Sequence, residues 1–130
     1  MNGVEYILDS TALLAFLFRE TGYEQIGSLL SRSAICSINV TEVAHKLIHR
    51  GALPHEAEGI IRDLKLEVSD WTEIMAYRSG QFASFGVSHG LSLGDRACLT
   101  LASHLRATAV TSDRQWRHVH GLGVKLLIFR

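Results

Sequence analysis

The stretch Val4-Glu5-Tyr6-Ile7-Leu8-Asp9-Ser10-Thr11-Ala12 decides the fold. Its apolar run from Val4 to Leu8 ends on an acid, as a buried strand should, and from Thr11 onward Leu13, Leu14 and Leu17 fall on one helical face. Moving outward, Ile26, Leu29 and Leu30 give a second helix after Gly22, and Ala34 to Ser37 reads as a second strand. Asn39 has the chemistry of an N-cap for a helix bearing Val40, Val43, Ala44, Leu47 and Ile48 up to Gly51. Pro54 opens the next helix, with Ala57, Ile60, Ile61 and Leu64 inward, and Leu66 to Val68 is a third strand. Trp71 to Phe85 predicts a helix interrupted at Gly80, followed by a loop from Gly86 to Leu91. Ser92 caps a helix carrying Ala97, Cys98, Leu101, Ala102 and Leu105. Thr108 to Val110 and Val124 to Phe129 are the last strands, separated by a helical or turn segment at Arg114 to His118.

Strands alternating with helices require right-handed crossovers. The expected fold is therefore α/β, a three-layer arrangement whose central sheet of four to five mostly parallel strands is flanked by helices, in a single domain over residues 1–130. At 47% hydrophobic and 20% charged, with one Pro, the chain is too apolar for a disordered segment and too polar for a membrane bundle. Cys36 and Cys98 stand far apart with no Cys-x-x-Cys, which excludes disulfide and zinc-finger classes and suits two buried thiols in a reducing compartment. Leu13 to Phe18 is too short to span a membrane or serve as a signal sequence, so a cytoplasmic chain is expected. Lys+Arg and Asp+Glu both number 13, so no global field gathers nucleic acid or lipid, and function has to lie in a local site.

In open parallel sheets ligands collect beyond the carboxyl ends of the strands. Asp9 ends the first strand and Asp113 follows the fourth, while Glu42 and Asp95 each stand three residues after a proposed cap, Asn39 and Ser92, in helices starting from the same rim. Each acid alone has a structural use: Glu42 and Asp95 fit the third position of a capping box, Asp9 a turn and Asp113 a cap. Together they would repel one another and raise their own pKa values unless a cation neutralises them. All-oxygen ligation selects Mg2+ or Mn2+, ions that bridge to phosphate oxygens, and a metal-dependent phosphodiesterase follows.

The segments Tyr6-Ile7-Leu8-Asp9-Ser10-Thr11-Ala12, Ile38-Asn39-Val40-Thr41-Glu42-Val43, Leu91-Ser92-Leu93-Gly94-Asp95-Arg96-Ala97 and Val110-Thr111-Ser112-Asp113 resemble, in order and spacing, the four acidic motifs of PIN-domain ribonucleases of the VapC-like toxin group. The resemblance implies an endoribonuclease that inhibits translation as the toxin of a toxin–antitoxin pair. It places the metal-binding and catalytic acids at Asp9, Glu42, Asp95 and Asp113, with Asp9 and Asp95 as first choice for direct ligands, and Thr111 as a supporting hydroxyl. It further implies an antitoxin that inserts a cationic side chain near the acids, and a homodimer. Arg96 and Arg114, each adjacent to a site acid, and Arg19 at the end of the first helix are candidate RNA contacts, and Ser10 and Thr11 can bond a carboxylate or phosphate.

Other patterns carry less. His45 and His49 are four apart on a helix, but Lys46 stands where a zincin motif needs Glu, and Glu42 with His45 lacks the second Glu-x-x-His of a di-iron bundle. Phe16, Phe18, Trp71 and Trp116 fit core or dimer packing better than base stacking. Asp9-Ser10-Thr11 lacks both the paired acids of a phosphoacceptor receiver and the Asp-x-Asp of a haloacid-dehalogenase-like phosphatase. The alternatives to the nuclease are a catalytically silent PIN-like scaffold for protein contacts and a metal-binding regulatory module.

Overall fold

The computed structural model describes residues 3–83, 90–119 and 121–130. Its framework is five strands, β1 (Tyr6–Leu8), β2 (Ser33–Cys36), β3 (Glu67–Ser69), β4 (Thr108–Thr111) and β5 (Leu126–Ile128). They form one sheet in the order β3-β2-β1-β4-β5, and every neighbouring pair is parallel. The helices are α1 (Ser10–Leu17), α2 (Tyr23–Leu29), α3 (Ser37–His49), α4 (Pro54–Asp63), α5 (Glu73–Arg78) and α6 (Leu93–Leu105).

Two cores lie on the two faces of the sheet, and the alternation of β1 feeds both. Ile7 joins Ala34, Leu99, Leu101, Ala109 and Trp116 on the α6 side, while Leu8 joins Leu13, Ile26, Ile35, Val43, Ile61 and Val110 on the α1–α4 side. A sheet covered on both faces needs strands apolar throughout, and β2 is buried at all four positions. Cys36 and Cys98 are buried free thiols.

Several expected boundaries shift. Asn39 is not a cap: β2 passes straight into α3, whose N-cap is Cys36, so Asn39 lies in the first helical turn and Glu42 one turn further on. Ile48 and Ile60 face outward instead of joining the stripe, at 40% and 39% exposure. The helix expected from Trp71 starts at Glu73, where the Thr72 side chain caps it, and passes at Ser79 into a 3₁₀ segment ending at Phe82. Its last expected residues and most of the loop from Gly86 lie outside the described residues. Arg114–His118 forms a 3₁₀ helix, as one of the two expected alternatives.

Candidate active site

Asp9 sits where β1 gives way to α1, at the carboxyl rim of the central strand. Its extended backbone places the carboxylate over the first turn of α1, and Oδ1 accepts the Ala12 N–H at 2.9 Å and the Thr11 hydroxyl at 2.6 Å. Oδ2 accepts the hydroxyl of Thr111, at the end of β4. That hydroxyl in turn accepts the Asp113 N–H at 3.0 Å, and the Thr11 hydroxyl accepts the Ser112 N–H at 3.0 Å. The pairing of β1 with β4 is thus sealed at its rim by a network in which every hydroxyl both donates and accepts. Asp9 is 3% exposed, and burial pushes its pKa from 3.8 up to about 6; the three hydrogen bonds oppose that rise, and the charge of Asp95 adds to it.

Asp95 reaches the same rim from α6. Ser92 caps that helix, its hydroxyl accepting the Asp95 N–H at 3.1 Å while Asp95 Oδ2 accepts the Ser92 N–H at 2.9 Å, the reciprocal capping box expected from the sequence. The capping bonds of Asp95 therefore coexist with its place at the rim. Burial raises its pKa, the two Ser92 bonds lower it, and the charges of Asp113 and Glu42 raise it again. Asp113 caps the 3₁₀ helix after β4, with Oδ1 accepting the Gln115 N–H at 2.9 Å.

Glu42 is brought in by a residue whose part the sequence concealed. The Asn39 amide, 1% exposed, donates to Glu42 Oε1 and to the Gly94 carbonyl, both at 3.0 Å. It ties α3 to the first turn of α6. Gly94 is buried against the Glu42 carboxylate so closely that a Cβ there would collide with both carboxylate oxygens. Asn39 Oδ1 is a buried oxygen with no partner. The signal that could have located Asn39 was its spacing: three residues before Glu42 it sits one helical turn away, on the same face.

The fold therefore carries all four acids to one rim, with Asp95 electrostatically in touch with the other three. Among the described residues, no Lys or Arg forms an ion pair with any of them. Among the described residues, no three His, Cys, Asp or Glu side chains already close into a metal cage. The donor set fits a hard divalent ion that keeps much of its water and takes one or two carboxylates directly: it is all oxygen, mutually repulsive and uncompensated by cations.

Ser10, half-buried at the start of α1, stands beside Asp9. The candidate cations are arranged differently from one another. Arg96 Nε turns back to the Ser92 carbonyl at 3.4 Å, and Arg114 Nε donates to the terminal main-chain oxygen of Arg130 at 3.0 Å. Arg19 is exposed in a left-handed turn after α1, next to Glu20, which pairs with Arg130 at 3.3 Å. His45 and His49 are exposed, and Trp116 is a core residue.

A family model described as PIN domain matches residues 6–122. Solved structures with the same fold include VapBC from Salmonella typhimurium bound to DNA, at 20% identity and a TM-score of 0.71, covering 95% of this chain and 97% of that one. VapBC2 from Rickettsia felis bound to a promoter DNA fragment aligns at 16% identity and a TM-score of 0.71, over 95% and 98% of the two chains. A toxin–antitoxin complex from Klebsiella pneumoniae aligns at 17% identity and a TM-score of 0.69, over 95% and 96%. At these identities the likeness is one of fold. No curated protein matches the chain.

Proposed function

The chain belongs to the PIN-domain family, and on that premise we propose that it is a Mg2+- or Mn2+-dependent endoribonuclease, the toxin of a toxin–antitoxin pair that acts by arresting translation. The observation that carries this reading is the buried Asp9 carboxylate, facing Asp95 at a rim where no Lys or Arg among the described residues neutralises either. A bound divalent ion would lower the pKa of a coordinated water and stabilise negative charge on the phosphate and the departing oxygen.

The chain's own residues supply the geometry. Asp9 and Asp95 would hold the ion directly, with Glu42 and Asp113 binding it, holding its waters or aligning the attacking water. Thr111 and Thr11 fix Asp9 by donating to one oxygen each, and with the Ala12 N–H also on Oδ1 the acceptor site left free is on Oδ2. Ser10 lies beside this carboxylate and can contact phosphate oxygens, and Arg96, Arg114 and Arg19 would meet the RNA backbone.

The fold neighbours reported as toxin–antitoxin complexes support a protein partner that silences the centre. A guanidinium inserted among four carboxylates would take the place of the metal charge. A groove of about 740 Å3 between α3, α4 and β3, lined by Val40, Ala44, Ile48, Ile61 and Val68, offers such an antitoxin helix an apolar seat. For a homodimer, Ile74 and Tyr77 on α5 and Leu93 at the start of α6 are exposed apolar side chains. No helix among the described residues is long and apolar enough to cross a membrane. On the toxin reading, we place the chain in the cytoplasm as a single domain.

Incubation of the purified protein with total RNA in Mg2+, in EDTA, and as Asp9→Asn or Asp95→Asn tests the reading. Cleavage confined to the metal-replete wild type is expected. Cleavage that persists in EDTA or in both variants would overturn it, and metal binding without any cleavage would favour the silent scaffold.

A further inference from the structure

At the β5 edge of the sheet, Arg114, Arg117 and Arg130 surround an open cleft of about 640 Å3 floored by Leu126 and Ile128. Its place is set by topology. Arg114 directly follows Asp113 after β4, and Arg130 lies just beyond the carboxyl end of the parallel neighbour β5. The cleft therefore opens on the same rim as the acids, one strand further out.

The guanidinium groups are held mainly by main-chain oxygens. Arg114 Nε donates to the terminal main-chain oxygen of Arg130 at 3.0 Å and Arg117 Nε donates to the Arg114 carbonyl at 3.2 Å. Arg114 and Arg117 are each anchored through Nε, and among the described residues their terminal nitrogens make no hydrogen bond. Arg130 is the member that reaches an acid, Glu20 at 3.3 Å; among the described residues Arg114 and Arg117 pair with no Asp or Glu. In a chain whose formal charges cancel, three guanidiniums with a single acid side chain among them, Glu20, make a local cationic site.

We infer that this cleft is a subsite for the RNA backbone, in which Arg114 and Arg117 bind phosphates flanking the one at the acids while Arg130 shapes the wall. The inference rests on the endoribonuclease reading. Planar arginine forks match phosphate oxygens two at a time, and phosphate is the anion that a hard divalent ion beside Asp113 would bridge to. One polyanionic strand can therefore run from metal to cleft without meeting bare carboxylates.

The test uses a fluorescein-labelled 12-nucleotide single-stranded RNA in EDTA, titrated over a range of NaCl with the full chain, with Arg114→Gln/Arg117→Gln, and with Arg32→Gln. Arg32 is a fair control because it is exposed and paired with Glu5 near the start of β2, at the opposite end of the strands. The double variant should weaken Kd about tenfold at moderate salt, and should make the slope of log K against log salt shallower by roughly 1.4, two phosphates at about 0.7 each. Arg32→Gln should change neither.

Unchanged affinity and slope in the double variant would overturn the inference, as would an equal loss in Arg32→Gln, which would indicate net charge alone. Retained RNA binding with lost affinity for a polyglutamate peptide would assign the cleft to an acidic protein instead, and overturn it too. RNA binding that depends on the cleft, in a wild type that cuts nothing in Mg2+, would sink the endoribonuclease reading and leave the cleft standing. A wild type that cuts, with a double variant that binds and cuts equally well, would sink the cleft alone.

Discussion

The buried amide of Asn39 grips Glu42 and the Gly94 carbonyl at once, joining an acid of α3 to the helix that carries Asp95. Its loss would leave the Gly94 carbonyl without this donor and free Glu42 to swing into solvent. Asn39→Ala should cost about 1–3 kcal/mol of folding stability, and should weaken Mn2+ binding beyond what that loss explains. Asn39→Asp should be worse, since it sets a second carboxylate against Glu42, with a deficit that grows as pH rises. Thermal melts at two pH values with a Mn2+ titration check this; an Asp variant as stable as Ala at pH 8 would count against the assigned contact.

Gly94→Ala separates folding from site geometry. Alanine within a helix ordinarily gains about 0.5–1 kcal/mol over glycine, but here the new methyl meets the Glu42 carboxylate, the free end of a flexible chain. The variant should fold with a melting temperature within a few degrees of wild type, yet bind Mn2+ less tightly and cleave at least tenfold more slowly. Normal activity would show that Glu42 is dispensable.

The raised pKa of Asp9 fixes a sign. Because its folded value, about 6, exceeds the ordinary 3.8, the native state holds this proton more tightly, and that contribution is complete below pH 4 and lost as pH rises through 6. Metal-free protein should carry a penalty near neutrality of about 3 kcal/mol from this group, at 1.36 kcal/mol per pKa unit. Asp9→Asn removes the charge, so in EDTA its stability should exceed that of wild type at about pH 7.5 and lose the advantage near pH 4. Mg2+ should raise the wild-type melting temperature and leave the variant nearly unmoved. Denaturant melts across that range decide it.

Ile74 and Tyr77, 63% and 76% exposed on α5, carry the expectation of self-association. Light scattering during size exclusion should give twice the 14.4 kDa chain mass, and Ile74→Glu/Tyr77→Glu should give the monomer mass with an unchanged melt of secondary structure. A dimer that survives both charges would move the interface elsewhere.

Legibility in the sequence followed the range of each interaction. The β1–α1 junction and the Ser92–Asp95 box were readable because their donors and acceptors lie within three residues of each other. The parallel sheet covered on both faces also followed from alternation, whereas its strand order had no signal in the sequence because it rests on pairings between distant segments. Asn39 was misread because the residue type that caps helices locally is used here for a contact fifty-five residues away. Ile48 and Ile60 were misread because an apolar stripe wider than the core it covers leaves its margin in solvent. The Arg114–Arg117 cleft was half visible: its cations can be counted in the sequence, but Arg130 joins them only through the pairing of β4 with β5.

The bond from Thr111 to Asp9 spans 102 positions, and the strand that bears Thr111 slots in beside β1. A ribosome releases the amino-terminal end first, so the nascent polypeptide cannot seat Asp9 fully until Thr111 has left the exit tunnel. On the nuclease reading, the carboxylate proposed to hold the metal therefore stays unset until β4 has emerged and folded in beside β1.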